Sequence, residues 1–154
     1  MIAVLQRVRR ASVVADGVPS GSIDEGFLIL LGVLKDDSPS DALLLAEKIS
    51  KLRVFSDKEG KMNLSVKDIG GGALVVSNFT LGANYSHGNR PDFFASAAPQ
   101  VAEPLYEEFK ALLKERIGNV SSGVFGADMQ ISMEADGPVT IVMDSLKLTK
   151  GNKL

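Results

Sequence analysis

Cysteine is absent from this 154-residue chain, and histidine occurs once, at His87. Without thiols there are no disulfides, no thiolate nucleophile and no cysteine-built zinc or iron-sulfur centre. A single imidazole cannot assemble a histidine cluster within one chain, and neither a metal nor another cofactor is expected. A large excess of either charge is lacking too. Lys and Arg number 17 against 19 Asp and Glu, a net charge of −2, which gives no global positive field to coat a nucleic-acid duplex. Long hydrophobic runs are missing: the longest, 27–34, contains a glycine and is far shorter than the ~20 residues a membrane helix needs. No membrane association is expected. The opening MIAVLQRVRR places its charges after its apolar residues and has no small-residue cleavage site, so it does not read as a signal peptide and the expected compartment is the cytoplasm.

What is present is the composition of an ordinary compact protein, 45% apolar and 23% charged, at a length suited to one domain. Residues 1–14 are rich in Val, Ile and Leu and predict a strand; Asp16-Gly17, with Pro19 and Gly21, supplies turn chemistry before the next strand. Residues 26–34 are apolar almost without alternation, which suits a central strand covered on both faces. Ser38-Pro39 offers an N-cap with proline at the first helical position, and Ala42, Leu45, Ala46, Ile49 and Leu52 recur at helical spacing. A short strand at 53–56 leads into a turn over 57–63 around Gly60.

After Gly70-Gly71-Gly72, residues 73–81 predict a strand that carries Ser77, Asn78 and Thr80 towards its C-terminal end. Residues 84–98 read as a long loop. A second helix is predicted over 99–117, with a stripe of Val101, Leu105, Phe109 and Leu112 or Leu113 in spite of Pro104. Two further strands, 123–135 and 139–144, flank Asp136-Gly137-Pro138. The residues 145–154 read as a frayed, Lys-rich tail to a single domain over 1–144. The fold class is mixed α/β, a largely antiparallel sheet or barrel with two main helices.

Chemistry-bearing residues are sparse. His87 is the only imidazole that could activate a serine or threonine, and for its place in a polar loop a few residues after Ser77 and Thr80 chance proximity is a simpler reading than a triad, which demands a set geometry. On a strand, Arg7 and Arg9 share one face with Arg10 opposite; they are either a solvated edge or guanidiniums that order carbonyls and meet phosphate. Arg90, in Asn89-Arg90-Pro91, offers a second cationic contact. Phe93 and Phe94 either pack in the core or stack a base. Asp136-Gly137-Pro138 reads as a turn between strands, or as a Gly-Pro peptide whose cis form orients two successive carbonyls.

Taken in order, IAVLQRVRRASV, FLILLGVLKDD, RVFSDKEGKMNLSV, LVVSNFTL, GNRPDF, GVFGADMQISM and DGPVT give the chain a resemblance, over 1–144, to the D-aminoacyl-tRNA deacylases of bacterial and eukaryotic type. The family's Ser-Gln-x-Thr element is matched by Ser77-Asn78-Phe79-Thr80, and its Gly-Pro element by Gly137-Pro138. Asn78 replaces the usual glutamine, one methylene shorter but still a donor and an acceptor.

The resemblance implies a DTD-like, sheet-rich barrel and a homodimer in which each Gly-Pro segment, with a cis bond, reaches into the partner's active site. It implies hydrolysis of the ester joining a D-amino acid to the terminal adenosine of tRNA, which is chiral proofreading in translation quality control. The RNA partner is the aminoacyl-tRNA acceptor end. The implied catalytic set is Ser77, Phe79 and Thr80, with the Phe79 and Thr80 amides as oxyanion donors and the Thr80 hydroxyl as an alternative nucleophile. The implied binding set is Arg7, Asn78, Phe125, Met129, Gly137 and Pro138. In it Arg7 braces the Gly-Pro carbonyls, Phe125 and Met129 line an adenosine pocket, and the Gly137 and Pro138 carbonyls accept the α-ammonium while turning away L side chains. The ribose 2′-hydroxyl would help to activate water, and glycyl-tRNA, with no side chain to exclude, would also be cleaved. The alternative from another class is a nucleic-acid-binding or scaffold protein on the same fold, without deacylase activity.

Overall fold

The computed structural model describes residues 1–151. In chain order it contains β1 (Ile2–Ala15), β2 (Val18–Ile23), β3 (Gly26–Gly32), α1 (Pro39–Lys51), β4 (Phe55–Ser56), β5 (Met62–Leu64), β6 (Gly72–Ser77), a 3-10 turn (Phe79–Gly82), α2 (Pro99–Ile117), β7 (Val120–Ser122), β8 (Met129–Asp144) and α3 (Ser145–Gly151). Among the described residues no helix is long and apolar enough to cross a membrane.

β1 is the spine. It pairs antiparallel with β2 and β3 on one side and with β8 along the other. The order continues from β3 to β6 and β7, and both of these pairings are parallel. A parallel neighbour needs a crossover rather than a hairpin; the segment with α1 returns the chain from β3 to β6, and α2 returns it from β6 to β7. The Ser20 hydroxyl donates to the Ser122 carbonyl at 2.9 Å, drawing β2 at one end of the strand order onto β7 at the other. The mixed sheet is therefore curled into a nearly closed barrel.

The unbroken apolar run of β3 has the predicted central place: Phe27, Leu28, Ile29 and Leu31 are buried. One core lies between the sheet and the helices, where Leu45 and Ile49 of α1 meet Leu105 and Phe109 of α2, and Phe27 meets Phe55 at 4.9 Å between ring centres. A second fills the barrel with Val8, Val13, Leu28, Leu74 and Val76. Each such side chain contributes roughly 1.5–3 kcal/mol relative to exposure. α1 begins as its sequence predicts. Pro39 occupies its first turn, and the Asp41 carboxylate accepts from both the Ser38 amide and the Ser38 hydroxyl at 2.9 Å.

Four local expectations change. The strand predicted over 73–81 stops at Ser77: the Asn78 amide makes the last ladder bond, to the Leu31 carbonyl, and the next residues turn into the 3-10 segment, where the Leu81 amide donates back to the Asn78 carbonyl. The strand predicted over 123–135 begins only at Met129, and Val120–Ser122 forms β7 instead. On α2, Val101 is exposed and Ala102 faces inwards. The tail is not frayed from its start: Ser145 is fully buried, opens α3, and its hydroxyl accepts from the Met1 amine at 2.8 Å. The rest of the expected tail, 152–154, lies outside the described residues.

The Asp136-Gly137-Pro138 expectation is also corrected. It is not a turn between two strands but lies within β8. Between the Gln6–Thr140 and Val8–Ala135 pairs β1 advances two residues while β8 advances five, so the segment bulges from a continuous strand. Proline has no N–H for the ladder, which is why such a break suits it. The Gly137-Pro138 bond is cis.

Candidate active site

A cavity of about 520 Å³ opens at the carboxyl ends of the parallel strands β3 and β6. Ligand crevices in sheets with parallel strands commonly form there. Leu31 and Val33 form its floor, and Ser77, Asn78 and Phe79 enter from the end of β6. Phe93, Ser96 and Ala97 come from the following loop, Ala102 and Tyr106 from α2, and Phe125, Gly126, Ala127 and Met129 from the segment leading into β8. No lining residue carries a charge. Phe125 packs on Tyr106 with ring centres 5.7 Å apart, so the two form one apolar wall.

The polar groups are concentrated on one side. The end of β6 delivers the Ser77 hydroxyl, and the 3-10 turn leaves the Phe79 and Thr80 amides without a backbone acceptor among the described residues, as the first amides of a helical turn must be. The Thr80 hydroxyl is exposed and does not line the cavity; it donates to the Asn78 side-chain carbonyl at 2.5 Å. Ser96 fastens the following loop to this side by donating to the Phe79 carbonyl at 2.7 Å. Sequence reasoning missed Ser96 and Tyr106, the first because it lies in an irregular loop, the second because it belongs to an ordinary helical stripe. The Tyr106 hydroxyl donates to the Val75 carbonyl at 3.1 Å, and burial pushes its acidity constant up to about 12 against a weaker opposing effect of Ser122.

The structure thus brings Ser77, Asn78, Phe79, Phe125 and Met129 together, with Thr80 just behind Asn78. It does not bring Arg7, Gly137 or Pro138 to the same cavity of the same chain. Arg7 reaches the base of the Gly-Pro bulge rather than its own carbonyls. Its Nε donates to the Asp136 carbonyl at 3.0 Å, its Nη1 to the Val54 carbonyl at 2.7 Å, and the Asp136 carboxylate lies 3.4 Å from Nε. Arg9 and Arg10 are exposed and pair with Asp136 and Glu134. His87 is exposed in the loop and does not line the cavity.

Residues 4–144 match the family described as D-Tyr-tRNA(Tyr) deacylase. The chain belongs to the D-Tyr-tRNA(Tyr) deacylase family. Among the relatives of this deacylase-family chain is a D-aminoacyl-tRNA deacylase of Chloroflexus aurantiacus, 55% identical over 96% of this chain and 92% of that one. A D-aminoacyl-tRNA deacylase of Thermus aquaticus is 52% identical over 94% and 95%. Among solved structures, a c-Myc DNA Unwinding Element Binding Protein superposes with a TM-score of 0.87 at 39% identity, covering 94% of this chain and 98% of its own. A probable eukaryotic D-amino acid tRNA deacylase superposes at 0.80 with 17% identity over 92% and 97%, a likeness of fold. The matched region of this deacylase-family chain contains every residue of the cavity.

Proposed function

We propose that this chain hydrolyses the ester of D-aminoacyl-tRNA, releasing the free amino acid and the tRNA. The observation that carries the reading is the uncharged cavity that Ser77, Asn78 and Phe79 share with Phe125 and Met129, beside a 3-10 turn whose Phe79 and Thr80 amides have no backbone acceptor among the described residues. The apolar wall suits the terminal adenosine, and the amides suit the oxyanion that develops as water attacks the ester carbonyl. One such donor is typically worth about 3 kcal/mol of transition-state stabilisation. No carboxylate, histidine, lysine or arginine lines the cavity, and the Tyr106 proton is held by burial and spent on the Val75 carbonyl, so the proton handling falls to water and the ribose 2′-hydroxyl, with catalysis resting on placement and electrostatics. The Thr80 hydroxyl, engaged with Asn78, acts as a positioning group rather than a nucleophile.

Selectivity in this reading comes from a second copy. Gly137 and Pro138 are exposed at a bulge, and β8 presents Ile131, Met133 and Val142 to solvent, a long edge that favours pairing with another chain. Inserted into the partner's cavity, the Gly137 and Pro138 carbonyls would accept the substrate α-ammonium and occupy the direction of an L side chain. Exclusion of this kind leaves glycyl-tRNA as a second substrate.

The test is incubation with D- and L-tyrosyl-tRNA and with glycyl-tRNA. Release from the D and glycyl esters with the L ester intact is the expected result; no release from any, at enzyme concentrations comparable to substrate, rejects the activity. The structural likeness to a DNA-element-binding protein favours the second reading, nucleic-acid binding without hydrolysis, which that negative result together with retained RNA or DNA binding would support. Light scattering of the purified protein reads the dimer.

A further inference from the structure

We infer that the loop after the 3-10 turn carries a stacking site for the unpaired nucleotides immediately 5′ of the terminal adenosine, built from Tyr85 and Phe94 with Arg90 as a phosphate contact. The inference rests on the deacylase reading. The mouth of the cavity lies at Phe79, which lines it and is still 60% exposed. Phe79 meets Phe93 edge to face, with ring centres 5.1 Å apart. Phe93 thereby takes the packing role expected of one aromatic in this segment. Its neighbour Phe94 is 76% exposed and Tyr85 is 81% exposed, and neither has a ring partner among the described residues.

These rings stand on an ordered support. Asn84 and Asp92 exchange two backbone hydrogen bonds at 2.8 and 2.9 Å, the Asp92 carboxylate accepts from the Phe94 amide and the Asn84 side-chain amide, and the Ala95 carbonyl and Ala97 amide are tied to the strand exit at Lys35 and Val33. Asp92 is thus occupied by the loop itself. Arg90, exposed near the loop tip, has no ion-pair partner among the described residues. Exposed aromatics sharing a loop pinned by the Asn84–Asp92 bridge with an uncompensated guanidinium are the combination that binds single-stranded nucleic acid, because bases stack on the rings and the phosphate meets the cation. Phe93, Ser96 and Ala97 of this loop line the cavity, so a strand whose last adenosine occupies it leaves next to the loop. The occupant is therefore the continuation of the substrate's own 3′ strand.

The experiment compares two non-hydrolysable amide analogues by calorimetry: D-tyrosyl-aminoadenosine alone, and the same group at the end of a cytidine-cytidine-adenosine trinucleotide. In the wild type the trinucleotide should bind at least about tenfold more tightly, from one or two stacked bases. The double variant Tyr85→Ala with Phe94→Ala should lose that advantage while binding the adenosine analogue as before, which also reports that it is folded. Arg90→Ala should lower the slope of log affinity on log salt by about 0.7 for the trinucleotide. Equal wild-type affinity for the two analogues, or an advantage that survives the double substitution, overturns the stacking site while leaving the deacylase reading intact. Failure of the wild type to bind either analogue counts against the deacylase reading and removes this inference with it.

Discussion

The Thr80 hydroxyl donates to the Asn78 side-chain carbonyl at 2.5 Å, two residues apart at the entry to the 3-10 turn. A hydroxyl spent on that carbonyl fixes which way the amide points and leaves the Asn78 amino group as the donor available to the cavity. The shorter arm of asparagine, where the family usually has glutamine, is thereby held by its own neighbour. Thr80→Val keeps the shape and removes the bond, so kcat/KM for D-tyrosyl-tRNA should fall by up to about tenfold, the range of one hydrogen bond, and Thr80→Ser should restore it. Abolished turnover in Thr80→Val with substrate binding unchanged would make the hydroxyl the nucleophile instead.

Arg7, on β1, ties the segment between α1 and β4 to the Gly-Pro bulge through the Val54 and Asp136 carbonyls, with its side chain only 11% exposed. Removing it leaves the Val54 and Asp136 carbonyls short of a charged donor, at a cost of roughly 1.5–3 kcal/mol for each such bond. Arg7→Ala should lower the urea midpoint by about 1.5 M, from about 3 kcal/mol in all at a slope near ~2 kcal/mol per molar. Arg7→Lys should recover less than half, since one ammonium does not reproduce the planar fork that spans both acceptors. Full recovery in urea titrations would show that charge alone suffices.

Gly32 lies where β3 passes beneath the 3-10 turn. A Cβ there would stand 2.9 Å from the Leu81 Cβ and 3.0 Å from the Asn78 carbonyl. Gly32→Ala therefore has to push the turn outwards, with an overpacking penalty of about 1–3 kcal/mol. The amides of Phe79 and Thr80 move with it, and kcat should drop by one to two orders of magnitude, as misplacement by ~1 Å does. Thermal melting and steady-state kinetics on the same sample separate the two effects; a lowered Tm with unchanged kcat would dissociate Gly32 from the site.

Tyr106 sets an alkaline limit. Burial raises its acidity constant from 10.0 to about 12, so the folded protein holds the phenolic proton more tightly than the unfolded chain does. That contribution to stability is complete below pH 10 and is lost as pH rises from 10 through about 12. The stability measured by denaturant should fall over this window in the wild type and fall less in Tyr106→Phe, which starts lower by about 1 kcal/mol for the lost bond to Val75. Parallel alkaline curves for the two proteins would remove Tyr106 as the cause.

Much of the frame was legible in the chain. The apolar run of β3, the Ser38-Pro39 start of α1 and the stripe of Leu105, Phe109 and Leu113 each state a local preference that burial then confirms. The family motifs point to Ser77, Phe79 and Thr80 as catalytic and to Arg7, Asn78, Phe125, Met129, Gly137 and Pro138 as binding residues; of these, Ser77, Asn78, Phe79, Phe125 and Met129 line one cavity and the other four do not. Those signals are local or cumulative along the chain, and a sequence carries both.

The remainder depended on contacts between distant segments. Nothing near Val76 announces that the strand must stop at Ser77; the ladder to β3 ends with the Asn78 amide on the Leu31 carbonyl, and beyond it the Leu81 amide closes the turn on the Asn78 carbonyl, which leaves the Phe79 and Thr80 amides without a backbone acceptor among the described residues. Ser96 acquires a role only because the loop folds back to the Phe79 carbonyl. Likewise, Asp136-Gly137-Pro138 has the composition of a turn, yet β1 holds β8 on both sides of it, so the chain bulges instead of reversing. The sequence by itself determined which segments are apolar, where helices begin and which family the motifs belong to, because those follow from residue chemistry at short range. The tertiary structure decided where strands end, which backbone donors stay unpaired and which way the bulge leaves the sheet, because each is settled by a hydrogen-bond partner tens of residues away.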